Sequence, residues 1–270
     1  MSPRITSTVR SLPYAVNTIL LNWGNARMPQ AFGYPFMYWV GMNTPPGMDA
    51  ATLATFNDFY SDTHVPEVVA NNPGFVRGSR YELLGPDPRG DFGPRWLAVY
   101  EMTNQAAADT YTAGADRAAQ NPAFTPGPPG WRDVTIVWRM IWRQLSERGA
   151  ATEPPTSIFV VGIDVPANTD GPSLTAFNNF YDETHVPEVM AIGGYARGTR
   201  FERYQAFAHP APGCPQFCAV YEADAATTVA NEGRPAAPGR APGGRSFTPG
   251  PAIWEQHNTL WRLVYRRISG

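Results

Sequence analysis

The sequence predicts an α+β protein made of two tandem βαββαβ units whose antiparallel sheets pack together within one chain. Three observations lead there. A motif occurs twice, FNDFYSDTHVPE at 56–67 and FNNFYDETHVPE at 177–188, with matched positions 121 apart (185 − 64). Its neighbours recur in the same order: VRGSRYE (76–82) and ARGTRFE (196–202), AVYE at 98–101 and 219–222, FTPG at 124–127 and 247–250. The last strand of the first unit carries large apolar groups on both faces, which a sheet tolerates only when both are covered. A repeat of this length exceeds a solenoid unit, so each copy is domain-sized. The expected organisation is an N-terminal extension over 1–32, a first unit over 33–149 and a second over 150–270, with the Ala/Pro-rich segment 150–156 as linker.

In the first unit, 34–42 reads as an aromatic-rich strand, broken by Pro45, Pro46 and Gly47. Asp49 stands at an N-cap before Leu53, Phe56, Phe59 and Tyr60, which recur at helical spacing. Pro66 is expected to end that helix, because the residue before a proline is driven out of the helical region; His64 then falls in or beside the last turn. Strands over 75–83 and 96–102 follow, joined by GPDPRGDFGP, then an alanine-rich helix over 105–119 and a strand over 132–143. The second unit runs in parallel: a strand over 157–165, a helix from Asp170 to Pro187, strands over 195–204 and 216–222, a shortened helix from Ala225 leading into a Gly/Pro-rich loop, and a strand over 255–266. The last strands align 123 positions apart (261 − 138), setting Trp138 against Trp261 and Arg139 against Arg262. Alternation puts Trp138, Met140 and Trp142 on one face and Val137 and Ile141 on the other. The order βαββαβ is the ferredoxin-like unit, with both helices on one face of the sheet. Packing the two free faces against each other covers both in a single barrel-like assembly.

Composition narrows the function. A hydrophobic share of 43% with 13% aromatics supports a real core. A net charge of −2 offers no electrostatic footprint for nucleic acid. No apolar run is long enough for a transmembrane helix, and no signal-peptide pattern is evident, so the expected location is the cytoplasm. Cys214 and Cys218 lack a second pair to complete a metal site and are expected as free thiols. Zinc-binding histidine motifs, Gly-rich phosphate loops and a G-x-S-x-G elbow do not occur, which leaves metal, nucleotide and serine-hydrolase chemistry without a motif.

Two copies of F-x-x-F-Y-x-x-T-H-V-P-E, each followed by R-G-[ST]-R and then A-V-Y-E, resemble the dimeric α+β-barrel superfamily, in its EthD-like branch, duplicated in tandem over 34–145 and 156–267. The resemblance implies an intramolecular dimeric α+β barrel with a pocket between sheet and helices. Relatives include polyketide cyclases, lactone isomerases, anthrone-type decarboxylases and oxygenases, and haem enzymes, so the resemblance implies a fold and a pocket rather than one reaction.

The candidate catalytic residues are His64 and His185, whose side chains titrate near neutrality and can take and return a proton. Tyr60 and Tyr181 stand four residues earlier, on the same helix face. Glu67 and Glu188 would hold the imidazole tautomer if the chain turned them back. The competing reading makes the whole motif a structural cap. Arg77, Arg80, Arg197 and Arg200 alternate in facing; one turned to the pocket would fix a carboxylate or phenolate bidentately, against the alternative of ion pairs with Glu82, Glu101, Glu202 or Glu222. Trp138, Trp142, Trp261 and Tyr265 are read either as pocket lining or as inter-sheet core. His257 has no counterpart in the first unit and is taken as substrate-binding, whereas His209, in a Pro-rich loop, is expected to be solvated. The function expected from these residues is a cofactor-independent lyase or isomerase (cyclisation, dehydration, decarboxylation or lactone rearrangement) acting on a small hydrophobic, aromatic or polyketide-like molecule. The alternatives are haem binding, with a pocket histidine on the iron, and a non-catalytic small-molecule module. A homodimer is left open.

Overall fold

Eight strands close into one barrel: β1 (Phe36–Asn43), β2 (Phe75–Gly85), β3 (Trp96–Met102), β4 (Thr135–Gly149), β5 (Ser157–Asp164), β6 (Arg197–Ala208), β7 (Phe217–Ala223) and β8 (Asn258–Ser269). The computed structural model describes residues 32–85, 93–114, 124–151, 153–210, 213–231 and 247–270. The extension, most of the 85–94 loop, the end of the 105–119 helix and most of the Gly/Pro-rich loop before 247 lie outside the described residues. All neighbours are antiparallel, in the order β1-β3-β2-β8-β5-β7-β6-β4. The first half thus runs β4-β1-β3-β2 and the second β8-β5-β7-β6. Two sheets merely facing each other would leave edges open. Instead β2 pairs with β8, with Leu83 opposite Tyr265, and β4 pairs with β6, with Trp142 opposite Arg203. Closure leaves no strand edge to recruit another chain.

The barrel interior is solid. Trp39, Trp138, Trp142 and Trp261 are fully buried there with Met37, Met140, Phe201, Leu263 and Tyr265. Trp138 and Trp261, aligned by the repeat, stack at 4.5 Å between centroids. Val137, which alternation sets with Ile141 on the face opposite Trp138, packs against this interior cluster. Gly41 pairs with Trp138 and Met42 with Ile136, so Val137 is the extra residue of a β-bulge and escapes the alternation.

Helices cover the outer faces. In the first half α1 (Ala50–Phe59), a π-helical turn (Tyr60–His64) and α2 (Val65–Asn71) form one rod, with α3 (Gln105–Gly114) beside it. The second half has α4 (Gly171–Phe180), a π turn (Tyr181–His185), α5 (Val186–Gly193) and the short α6 (Ala225–Asn231). Asp49 caps α1, accepting from the Ala51 and Thr52 amides at 3.0 and 2.9 Å, and Asp170 caps α4, accepting from Ser173 at 2.7 Å. The prolines do not end these helices. The Val65 amide reaches back to the Tyr60 carbonyl and Val186 to Tyr181, one residue further than in an α-helix. Pro66 and Pro187 then open a new α segment, where a missing N–H costs nothing. His64 and His185 are therefore mid-rod rather than at a helix end. Among the described residues no helix is long and apolar enough to cross a membrane.

The R-G-[ST]-R strands carry the close approach between rod and barrel. A Cβ on Gly78 would lie 2.4 Å from a Val65 methyl, and one on Gly198 would lie 2.8 Å from a Val186 methyl. Gly78→Ala is therefore expected to lower the unfolding free energy by about 1–3 kcal/mol, read from urea denaturation. Gly171→Ala, with nothing within 4 Å of the added Cβ, leaves it unchanged or slightly higher.

Candidate functional site

The repeated motif builds an aromatic cage around each imidazole. His64 sits 5.0 Å from the Tyr60 ring, 4.8 Å from Trp131 and 5.3 Å from Phe124. His185 has the same neighbours in copy, Tyr181 at 5.3 Å, Trp254 at 4.6 Å and Phe247 at 4.9 Å. Glu67 and Glu188 do not hydrogen-bond the imidazoles. Glu67 accepts from the Thr125 amide at 3.1 Å and from its hydroxyl, and Glu188 does the same for Thr248, with the amide at 3.0 Å. The carboxylates thus clamp the FTPG segments, and that clamp lays Phe124 and Phe247 over the rings. Burial pushes His64 down to about 4, outweighing the opposing pull of Glu67. Burial, reinforced by His257, Arg200 and Arg262, does the same to His185, also to about 4. Both imidazoles are neutral at neutral pH.

The strand arginines are engaged by protein groups. Arg80 points to the helices and donates to the Asn57 carbonyl (2.9 Å), the Asn57 side chain (2.8 Å) and Ser61 (2.9 Å), over the Tyr60 ring at 4.3 Å. Arg200 repeats this with Asn178 and Asp182, over Tyr181 at 4.1 Å. Three residues earlier, Arg77 and Arg197 point into the barrel and pair with Glu101 at 2.8 Å and Glu222 at 2.6 Å. Burial lifts Glu222 to about 7 even beside Arg197. Trp138 and Trp261 also face the interior, on the side of the sheet away from the helices. These six residues are packed as staple, ion pair and core. His257 bonds the Trp254 carbonyl and lies 4.4 Å from the Trp254 ring, in the second-half cage. His209 is not solvated: it is half-buried and stacks on Trp138 at 5.3 Å, at the barrel mouth.

A cavity of about 680 Å³ lies in the first half, between the outer face of β1, β3 and β4 and the helices. His64 and Tyr60 reach it from the rod, Tyr111 from α3, and Tyr38, Tyr100 and Arg139 from the sheet. Arg139 donates through Nε to the Tyr38 hydroxyl at 2.9 Å. The Tyr100 hydroxyl is buried beside the Tyr60 phenol, with which it interacts. Burial, with Tyr60 and Tyr38 nearby, holds the Tyr100 phenol firmly protonated. Sequence reasoning passed over Tyr38, Tyr100 and Arg139 as site residues. Their signal was present: Tyr100 is the tyrosine of AVYE, and Arg139 lies on the outer face with Ile141. The second half differs at matched positions, with Phe159 for Tyr38, His257 for Val134 and Thr259 for Ile136.

No protein-family model matches the chain, and no curated protein matches it significantly. Similar solved structures include a variant of chlorite dismutase from Candidatus Nitrospira defluvii, at 9% identity and TM-score 0.46, covering 86% of this chain and 90% of that one. Another is a dye-decolorizing protein from V. cholerae, at 8% identity and TM-score 0.39, covering 86% and 93%. Likeness at this level does not determine a ligand or a reaction.

The two depressed imidazoles give a pH signature. Folded values near 4 lie below the ordinary 6.5, so the unfolded chain binds more protons in that window and stability rises with pH. Urea midpoints should fall as pH drops from about 6.5 towards 4. The slope should flatten in the His64→Gln, His185→Gln double variant.

Proposed function

We propose that the first-half cavity binds a small, largely apolar, ring-bearing molecule and that the chain performs cofactor-independent proton transfer on it, of lyase or isomerase type. One observation carries the reading: a neutral imidazole and a buried, protonated phenol line the same aromatic cavity. Its volume falls in the range of roughly 300–1,000 Å³ typical of small-molecule sites. His64 accepts a proton from a carbon beside a ligand carbonyl, while Tyr100 donates to the oxygen on which charge develops. Return of the proton to another carbon completes an isomerisation; loss of a leaving group completes an elimination. An imidazole this weakly basic suits an acidic C–H, such as one between two carbonyls.

The same reading treats the chain as a tandem duplicate of a ferredoxin-like unit of EthD-like type, over 33–149 and 150–270. Support comes from the motifs repeated in order and the matching strand order of the two halves. Buried free thiols at Cys214 and Cys218 fit a reducing compartment, the cytoplasm.

The test is turnover of ring-bearing lactones and β-keto acids by wild type, His64→Ala and His185→Ala. Loss confined to His64→Ala is expected; full activity in both variants removes the reading. Tyr100→Phe should leave the stability of the ligand-free protein within about 1 kcal/mol of wild type, yet weaken ligand binding. Parallel loss of both in melting and titration experiments would mark Tyr100 as structural.

A second reading has its own observation. Neutral imidazole is the iron-binding form, and the donor set fits haem in that respect: His64 would hold the iron and Arg139 would meet a propionate. Bound haem would supply the redox chemistry these side chains lack. A Soret band on haem addition to wild type, absent in His64→Ala, supports this reading; no band in wild type rejects it.

A further inference from the structure

Arg139 contrasts with several other strand arginines. Arg77, Arg143, Arg197, Arg200 and Arg266 each meet a carboxylate, and Arg80 donates to three oxygens of the helix above it. Arg139 lines the cavity half-buried, and among the described residues no carboxylate pairs with it. Its Nε is held by the Tyr38 hydroxyl at 2.9 Å, and its guanidinium lies 5.3 Å from the Phe207 ring centroid. The Tyr111 phenol also interacts with the guanidinium; these partners are all neutral, and Tyr38 takes the Nε donor. A half-buried guanidinium held by neutral partners keeps its charge available to an anion that enters the cavity. The fork geometry matches a carboxylate, which it binds through two parallel N–H donors.

Resting on the cavity reading above, we propose that the ligand is a ring-bearing carboxylic acid. Its carboxylate bridges the terminal amino groups of Arg139, its ring lies among the aromatic walls, and a second oxygen accepts from Tyr100. A tyrosine-held cation and a buried phenol on the wall of the same cavity thereby meet one molecule. The arrangement is specific to the first half. The second half replaces Tyr38 by Phe159, and Arg262 there turns to the Thr259 hydroxyl at 3.4 Å. Barrel closure contributes to the cradle, since Phe207 comes from β6 of the other half.

The test is calorimetric titration at pH 7 with matched acids and primary amides: 3-phenylpropionate, 2-naphthoate and indole-3-acetate, each against its amide. Wild type should bind at least one acid about tenfold or more tightly than its amide, an advantage that shrinks as salt rises. Arg139→Gln should bring that ratio close to one, Tyr38→Phe should reduce it in part, and Arg262→Gln should leave it unchanged. Equal affinities for acid and amide in wild type overturn the proposal while the cavity reading stands. Binding of neither removes both. Collapse of the ratio in Arg262→Gln with retention in Arg139→Gln also overturns it. The wild-type ratio decides even if Arg139→Gln does not fold.

Discussion

Hydrogen-bonded closure of the sheet is the constraint on which the rest depends. Once β2 joins β8 and β4 joins β6, every strand has two neighbours and the space inside is bounded on all sides. Four tryptophans fill that space, with Arg77, Arg197, Glu101 and Glu222 paired in its polar part. A molecule cannot enter a lumen packed in this way. A cavity with room for one lies outside the barrel, beneath the helices of the first half.

The helical rod is held over that cavity by repeated devices that all act on the same few turns. The glycine of R-G-[ST]-R lets the rod approach the strand, and the second arginine reaches up to the asparagine just before the π turn. The π turn admits Pro66 without breaking the rod and so keeps His64 over the sheet. The glutamate after the proline draws FTPG across the imidazole. A motif that looks catalytic is thus in large part a fastening. Its conservation between the two halves follows from the need of both to attach a rod to a barrel.

Chemistry then separates the halves. Both cages contain a neutral imidazole and a buried pair of tyrosines, Tyr60 with Tyr100 in one and Tyr181 with Tyr221 in the other. The first adds a tyrosine-held arginine, while the second puts His257 beside Trp254. The two halves share their mechanical parts and differ in the walls of their cages.

The amino-acid sequence alone determined the elements and their repetition, because strand alternation, N-caps and motif spacing are local properties of the chain. Asp49 and Asp170 begin helices as their neighbours predict, and β3 spans the residues its apolar run marks. Misjudgements arose where a local rule met a non-local one. Pro66 reads as a terminator until a wider turn absorbs it, and Val137 reads as lying on the face opposite Trp138 until a bulge shifts it. The roles of Arg77, Arg80, Trp138, Arg139 and Tyr100 belong to the tertiary structure. Each depends on which face of a strand becomes interior, and only closure of the sheet between residues far apart in the chain makes that choice.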